Sequence, residues 1–165
     1  MIVDSTDLVS YKTKPLVRYN GKYHNYCLKL SLAVGGNLKP LYFSLDKGSR
    51  SDSTVLDKVL MGIDKLPYIL YLDKGYERYE RRRVLKSKNC QVKMESKNYV
   101  KNRKRGPRFL FNQNDKLKRY SIEKVFAWIK AFKCFTLLKL RRLILIKSHI
   151  LFALSYISFM RENNL

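Results

Sequence analysis

Four carboxylates stand where a strongly basic chain has least reason to place them. Asp4 closes the apolar start Met-Ile-Val, Asp73 follows YILYL, Asp46 follows LYFSL, and Glu123 lies inside RYSIEKVFAWIKAFK. An acidic side chain at the end of an apolar strand sits at a sheet rim, where open α/β sheets bind ligands beyond the carboxyl ends of their strands. Two such carboxylates on neighbouring parallel strands are about 4.8 Å apart. That separation suits two divalent ions about 3.5–4 Å apart, the arrangement for in-line phosphoryl transfer. A lone Asp-x-Gly more commonly caps a turn, and Asp73-Lys74-Gly75 taken by itself reads that way.

Asp4 has two candidate partners, because the string Leu-Asp-Lys-Gly occurs at 45–48 and again at 72–75. Composition does not separate them, whereas topology does. In a sheet ordered 3-2-1-4 the strand ending in Asp46 lies two steps from the first strand, about 9–10 Å away, and the strand before Asp73 is its neighbour. Asp73 is therefore the expected ligand and Asp46 a turn residue. On a helix, Arg119, Glu123 and Lys130 fall within about 40° of one another and form one polar stripe. The stripe borders Ile122, Val125, Phe126 and Ile129, so the helix can pack on the sheet while Glu123 looks toward the strand ends. An ordinary Arg–Glu–Lys surface ladder fits the same spacing, and helix geometry alone leaves both readings open.

These residues need a sheet and a helix to hold them, and the pattern supplies both. Residues 1–6 read as a short strand, and 23–34 (YHNYCLKLSLAV) as a central strand. Gly35-Gly36-Asn37 makes a turn, and 38–45 returns as the hairpin partner. Ser53-Thr54 can cap a helix through VLDKVLMGI, which Pro67 ends. Residues 68–72 then form a buried strand, 76–88 a basic helix and 90–94 a further short strand. A long helix is expected to begin near Asp115 or Tyr120, with Phe132 on its apolar face, and a last one to run from about 148 to 160. The order predicts one α/β domain over 1–165, a mixed sheet in the order 3-2-1-4-5 with flanking helices. Trp128, with Phe126 and Phe132, is placed in the core, and His24 and His149 are isolated enough to be structural.

At 165 residues and 19.6 kDa, with 45% hydrophobic residues, the chain can bury one core without staples. Cys27, Cys90 and Cys134 are odd in number and widely spaced, which suits neither a disulfide framework nor a zinc knuckle and points to a reducing interior. The N-terminus lacks the pattern of a signal peptide. The apolar stretch 143–160 is broken by Lys147 and His149 and reads as a buried amphipathic helix rather than a membrane span. The net charge of +22 implies a polyanion partner. It is unevenly placed: residues 1–73 hold 10 basic and 7 acidic side chains, and 74–165 hold 25 and 6. Arg78, Arg81, Arg82 and Arg83 on the basic helix, and Lys101, Arg103, Lys104 and Arg105 in the polar stretch 97–106, read as phosphate contacts. That stretch, KNYVKNRKRG, is expected to be a mobile loop.

Taken jointly, the motifs resemble the insertion-sequence DDE transposases, which have a ribonuclease-H-like core. The resemblance rests on Val3-Asp4-Ser5-Thr6, the GSRSD block ending at Asp52 with Leu56 and Leu60 behind it, and Leu72-Asp73-Lys74-Gly75-Tyr76. It continues through Arg119-x3-Glu123-x6-Lys130 and Arg141-Arg142. Two features depart from the pattern. Lys116 stands where the helix signature of the family has Tyr, and the chain begins three residues before Asp4, where members carry a helical N-terminal region. A truncated chain lacking the N-terminal DNA-binding region is the expectation.

The resemblance implies Asp4, Asp73 and Glu123 as a catalytic triad holding two Mg²⁺ or Mn²⁺, with Arg119 and Lys130 as basic companions on the helix. Oxygen-only ligands agree with Mg²⁺ rather than zinc. It implies DNA cleavage and strand transfer without a covalent enzyme intermediate, at transposon ends and target DNA, with Arg141 and Arg142 among the DNA contacts. A DNA-associated cytoplasmic protein without membrane contact follows, and a homodimer on DNA is left open. Three rivals remain: a simple metal-dependent nuclease, a non-catalytic DNA-binding remnant, and a basic RNA-binding module, the last without the glycine-aromatic signature of common RNA folds.

Overall fold

A computed structural model describes residues 1–10, 16–21, 24–95, 111–132 and 142–163. The stretch 97–106, Cys134 and Arg141 lie outside them. Six strands form one mixed sheet: β1 (Ile2–Val9), β2 (Arg18–Asn20), β3 (Asn25–Val34), β4 (Pro40–Lys47), β5 (Ile69–Tyr71) and β6 (Gln91–Lys93). Among the described residues four α-helices accompany these strands: α1 (Asp52–Met61), α2 (Tyr79–Ser87), α3 (Gln113–Ala131) and α4 (Leu143–Glu162).

The long strand β3 is the centre because its last eight residues are buried, covered on both faces. β1 runs antiparallel to it over its whole length, from Ile2 opposite Val34 to Val9 opposite Cys27. β4 is antiparallel to β3 along its other edge, which β2 shares at the far end. β5 pairs parallel to β1, and β6 parallel to β5. The expected strands are present, and β2 is an addition: a three-residue strand with two exposed side chains carries no apolar signature to read. The hairpin turn is a 3-10 turn over Gly36–Leu38, with Asn37 at φ 54°, a left-handed conformation that Asn tolerates.

Alternation along the strands sorts their side chains into two cores. Ile2, Leu8, Leu28, Leu30, Leu32 and Tyr71 pack against Ile122, Val125, Phe126 and Ile129 of α3 and Ile146, Ile150 and Ile157 of α4. Val3, Ala33, Leu70 and Leu72 pack on the other face with Val55, Leu56 and Val59 of α1 and Leu85 of α2. The parity that sends Ile2 and Tyr71 toward α3 sends Asp4 and Asp73, two residues on, to the same face.

On the α1 face an apolar layer gives way to two polar rows. Register sets Ser5, Ser31 and Ser44 side by side across β1, β3 and β4, and next to them Asp7, Lys29 and Asp46. Asp46 is thus a buried residue of β4, bonded by Ser44 and paired with Arg50 and Lys58, rather than a turn residue.

α3 starts earlier than the apolar spacing suggests because its first turn is capped. Asn112 accepts from the Asp115 N–H at 2.8 Å while Asp115 accepts from the Asn112 N–H at 3.1 Å and from Lys93 at 3.2 Å. Burial pushes the Asp115 carboxyl up, but the Asn112 N–H and Lys93 outweigh it and hold it below its ordinary value. Replacing an N-cap side chain costs about 1 kcal/mol. Asn112→Ala should therefore lower the melting temperature by about 2–4 °C, read by circular dichroism; an unchanged melt would show that the capping box does not hold α3.

α4 is longer than the expected helix and keeps one face in the core, while Ile144, Leu151, Phe152 and Phe159 are exposed. By length and composition it is apolar enough to cross a membrane.

Candidate active site

The parallel register pairs Ile2 with Tyr71, so Asp4 and Asp73 lie at matching heights just past the last paired position. Asp4 is held by the Ser5 N–H, which donates to its Oδ1 at 2.8 Å. Its side chain is 20% exposed. Its carboxyl is pushed up to about 6, chiefly by burial, with the charges of Asp73 and Asp52 adding and the Ser5 N–H and Arg119 opposing. Asp73 caps the 3-10 turn Lys74–Tyr76, accepting from the Gly75 N–H at 3.3 Å. The turn-capping role and the place at the site thus belong to one carboxylate.

α3 lies across this rim. Arg119, 11% exposed, reaches Asp4 Oδ2 at 3.6 Å and Glu123 Oε1 at 3.7 Å, so the guanidinium stands between the two acids. Tyr120 backs it, with its ring centroid 4.1 Å from the guanidinium carbon. Lys116, where a Tyr was expected by resemblance, pairs with Glu95 at 3.7 Å. Three turns after Arg119, the Lys130 ammonium donates to Thr6 Oγ1 at 2.7 Å, on the same face of β1 as Asp4. Glu123 is 59% exposed.

A polar groove of about 820 Å³ runs along this rim, lined by Asp4, Thr6, Asp73, Arg119 and Lys130 on one side and by residues 48–52 on the other. Glu123 is not among the lining residues. Among the described residues no three His, Cys, Asp or Glu side chains converge closely enough to hold a metal ion. The structure therefore brings Asp4 and Asp73 together and ties Glu123 to them through Arg119.

The far wall is the GSRSD block, and it is anchored by Lys29, which sequence reasoning did not single out. Lys29, buried on β3, donates to the Arg50 carbonyl at 2.6 Å and to Asp52 Oδ1 at 2.7 Å, which anchors the loop before α1. Gly48 is required there, since a Cβ would run into the Cys27 backbone carbonyl. Asp52 and Asp73 both lie close to Gly75, where a Cβ would stand 3.5 Å from an oxygen of each.

The expected DNA contacts divide. Arg78, Arg83 and Arg142 are exposed. Arg81 is not a phosphate contact here: its guanidinium turns inward to Asp57, at 2.6 and 2.7 Å, and to the carbonyls of Ser53 and Tyr76. The side chain of Arg82 and residues Lys101, Arg103, Lys104, Arg105 and Arg141 lie outside the described part. Trp128 is only partly buried, with the Arg161 guanidinium 4.5 Å over its ring, beside an apolar cleft between α3 and α4 that is separate from the carboxylates. His24 and His149 are exposed, hydrogen-bonded to Tyr19 and to the Leu145 carbonyl.

The sequence model of the transposase DDE domain family matches residues 1–158. The chain belongs to the transposase DDE domain family. Transposase DDE domains generally depend on divalent metal. No curated protein matches the sequence. Among solved structures, this transposase domain is similar to the piggyBac transposase, seen by cryo-electron microscopy in a synaptic complex with hairpin DNA. The two are 10% identical with a TM-score of 0.47; the match covers 64% of this chain and 26% of the piggyBac chain. This chain thus spans about a quarter of that one.

Proposed function

We propose that this transposase domain is catalytic, with a ribonuclease-H-like core that cuts DNA and joins strands using divalent metal at Asp4 and Asp73, with Glu123 as the third acid. The observation that carries this reading is that Asp4 and Asp73, each two residues beyond the parallel pair Ile2–Tyr71, both line one open polar groove. Burial chiefly, with the charges of Asp73 and Asp52 adding, raises the Asp4 carboxyl against the opposing Ser5 N–H and Arg119, and a cation bound at the rim would offset the cost of its charge. The donor set fits the group, since Mg²⁺ is commonly held by one or two carboxylates together with substrate phosphates. Bound there, divalent ions would supply the charge that activates an attacking hydroxyl and stabilises the leaving oxygen.

The remaining work falls to this chain's own residues. Asp73 is kept in place by the turn it caps, and Asp4 by the Ser5 N–H. Arg119 holds both its acids at long range, so a phosphodiester offering two oxygens can compete for its guanidinium. Glu123 is then free to turn toward Asp4. Lys130, fixed at Thr6, supplies a second cation further along the groove.

One observation favours a different reading, a non-catalytic DNA-binding role: Arg119 occupies the space between Asp4 and Glu123. The two readings part in a plasmid-nicking assay with Mn²⁺ or Mg²⁺, run beside a strand-transfer assay. Metal-dependent nicking that Asp73→Asn abolishes supports the catalytic reading, and nicking without joining identifies a nuclease. No nicking with intact DNA binding supports the remnant.

In every case the basic half should bind duplex DNA through phosphates. With 6–10 contacts, affinity should fall about 10³–10⁵-fold between 50 and 200 mM salt, with little dependence on sequence. A flat salt titration would show that residues 74–165 do not form a phosphate-binding surface.

A further inference from the structure

The backbone alone does not hold Asp4 and Asp73 at a fixed separation. β5 ends at Tyr71, and its single register pair with β1 is Ile2 opposite Tyr71. The Met1 amino group bonds the Ile69 carbonyl, and the Tyr71 N–H bonds the Met1 carbonyl, at 3.0 and 2.9 Å. Beyond that point the two segments run on toward their carboxylates without ladder bonds among the described residues.

A side chain closes the gap. The turn that Asp73 caps carries Tyr76 back under β1, with the Tyr76 N–H on the Asp73 carbonyl at 3.0 Å. The Tyr76 hydroxyl meets Ser5 Oγ at 2.7 Å, and Ser5 Oγ meets Ser31 Oγ of β3 at 2.8 Å. Ser5 is the residue whose N–H holds Asp4 Oδ1. A chain of hydroxyls therefore runs from the Asp73 turn, through the residue that orients Asp4, to the central strand.

The burial of Tyr76 makes this costly to have without a purpose. It is 2% exposed in the α1-face core, where a Phe would fill the same space without a polar group to satisfy. Burial, then the charge of Asp4, hold its hydroxyl well above the ordinary tyrosine range, so it remains a neutral hydrogen-bonding group.

We propose that Tyr76 is a positioning residue that sets the separation of the Asp4 and Asp73 carboxylates through its hydroxyl bond to Ser5. This rests on the proposed reading of those two acids as metal ligands. Partners one step removed from metal ligands typically govern affinity 10–100-fold. The informative variant is Tyr76→Phe, which cuts the polar chain while keeping the ring in the core, and Ser5→Ala cuts it while keeping the backbone N–H on Asp4.

The test is calorimetric titration of the full chain with Mn²⁺, beside melts of the chelator-treated proteins. Wild type should bind Mn²⁺, and Asp73→Asn should not. Tyr76→Phe and Ser5→Ala should each weaken Mn²⁺ binding at least tenfold; the metal-free melt of Tyr76→Phe should stay near wild type, whereas Ser5→Ala, which leaves the buried Tyr76 hydroxyl unpaired, should melt lower. The double variant should be no weaker than the worse single one, because both cut the same chain. If wild type binds and Asp73→Asn does not, yet Tyr76→Phe and Ser5→Ala bind within twofold of wild type, the positioning role is overturned and the metal site stands. A metal-free melt lowered without loss of Mn²⁺ affinity makes the chain a purely structural one and overturns it as well. Absence of Mn²⁺ binding in wild type overturns the functional reading and this inference together.

Discussion

With metal removed by a chelator, Asp4→Asn should be more stable than wild type at pH 7.5. The Asp4 carboxyl is pushed up to about 6 in the folded chain, against an ordinary value near 3.8. The folded state therefore holds its proton more tightly than the unfolded one. That preference stabilises wild type fully below about pH 4 and is lost as the pH rises through 6, where Asp4 ionises inside the fold. At pH 7.5 the buried charge costs up to about 3 kcal/mol, taking about 1.4 kcal/mol for each pH unit of displacement. Asn removes this cost and can still accept the Ser5 N–H bond that Asp4 makes. For a domain of this size the gain corresponds to about 6–12 °C in melting temperature. The advantage should shrink on acidification and vanish below pH 4. Melts of both proteins in chelator from pH 4 to 8 measure this, and a wild type as stable as the variant at pH 7.5 would show that Asp4 is not electrostatically strained.

The residues that carry this effect were legible because the sequence isolates them. Asp4 and Asp73 each end an apolar run, and a parallel pairing of those runs needs no information beyond their position in a mixed sheet. The capping role of Asp73 was equally legible from Asp-x-Gly, and the two readings turned out not to compete, since a turn at a strand end aims its cap into the groove. Asp46 shows the limit of the same reasoning. The identical string after LYFSL predicts a turn, but β4 runs to Lys47, and the carboxylate is drawn inward by Arg50 and Lys58. Those partners lie 4 and 12 residues away, and no local pattern reports them.

Long-range polar pairing is what the sequence hides more generally. Arg81 sits in a run of arginines that reads as solvent-facing, yet Asp57, 24 positions earlier, takes it into the interior. Lys29 interrupts the apolar strand β3 and is the visible half of a signal whose other half, Asp52, lies across a loop. Tyr76 reads simply as an apolar residue of a motif, and only the register of β1 on β3 shows that its hydroxyl meets Ser5, which in turn meets Ser31. Glu123 falls beside Arg119 on one stripe by helix spacing, and the two side chains meet there at 3.7 Å. That the arginine would lie between it and Asp4 depends on how α3 crosses the sheet, a tertiary property that helix spacing does not contain.

Adding divalent metal should offset most of the penalty that wild type carries in chelator, and Asp73→Asn should lose that response. A cation that binds the folded chain preferentially stabilises it by about 2.7 kcal/mol at 100 times its dissociation constant. It also relieves the repulsion that raises Asp4. Wild type should thus melt higher with Mn²⁺ by about 5–11 °C, while Asp73→Asn should not respond. The variant should still fold, because an Asn side-chain oxygen can accept the Gly75 N–H bond that caps the turn. Its DNA affinity should stay close to wild type, since the exposed Arg78, Arg83 and Arg142 lie outside the groove lining. Plasmid nicking should fall at least about 100-fold, the upper end of what loss of a mere supporting partner causes at a metal site. Melts with and without Mn²⁺, DNA binding at fixed salt, and nicking assays on the same two proteins separate these effects. An equal response of both proteins to metal would remove Asp73 from the ligand set, and a parallel loss of DNA affinity would mean that Asp73 supports the fold of the groove rather than its chemistry.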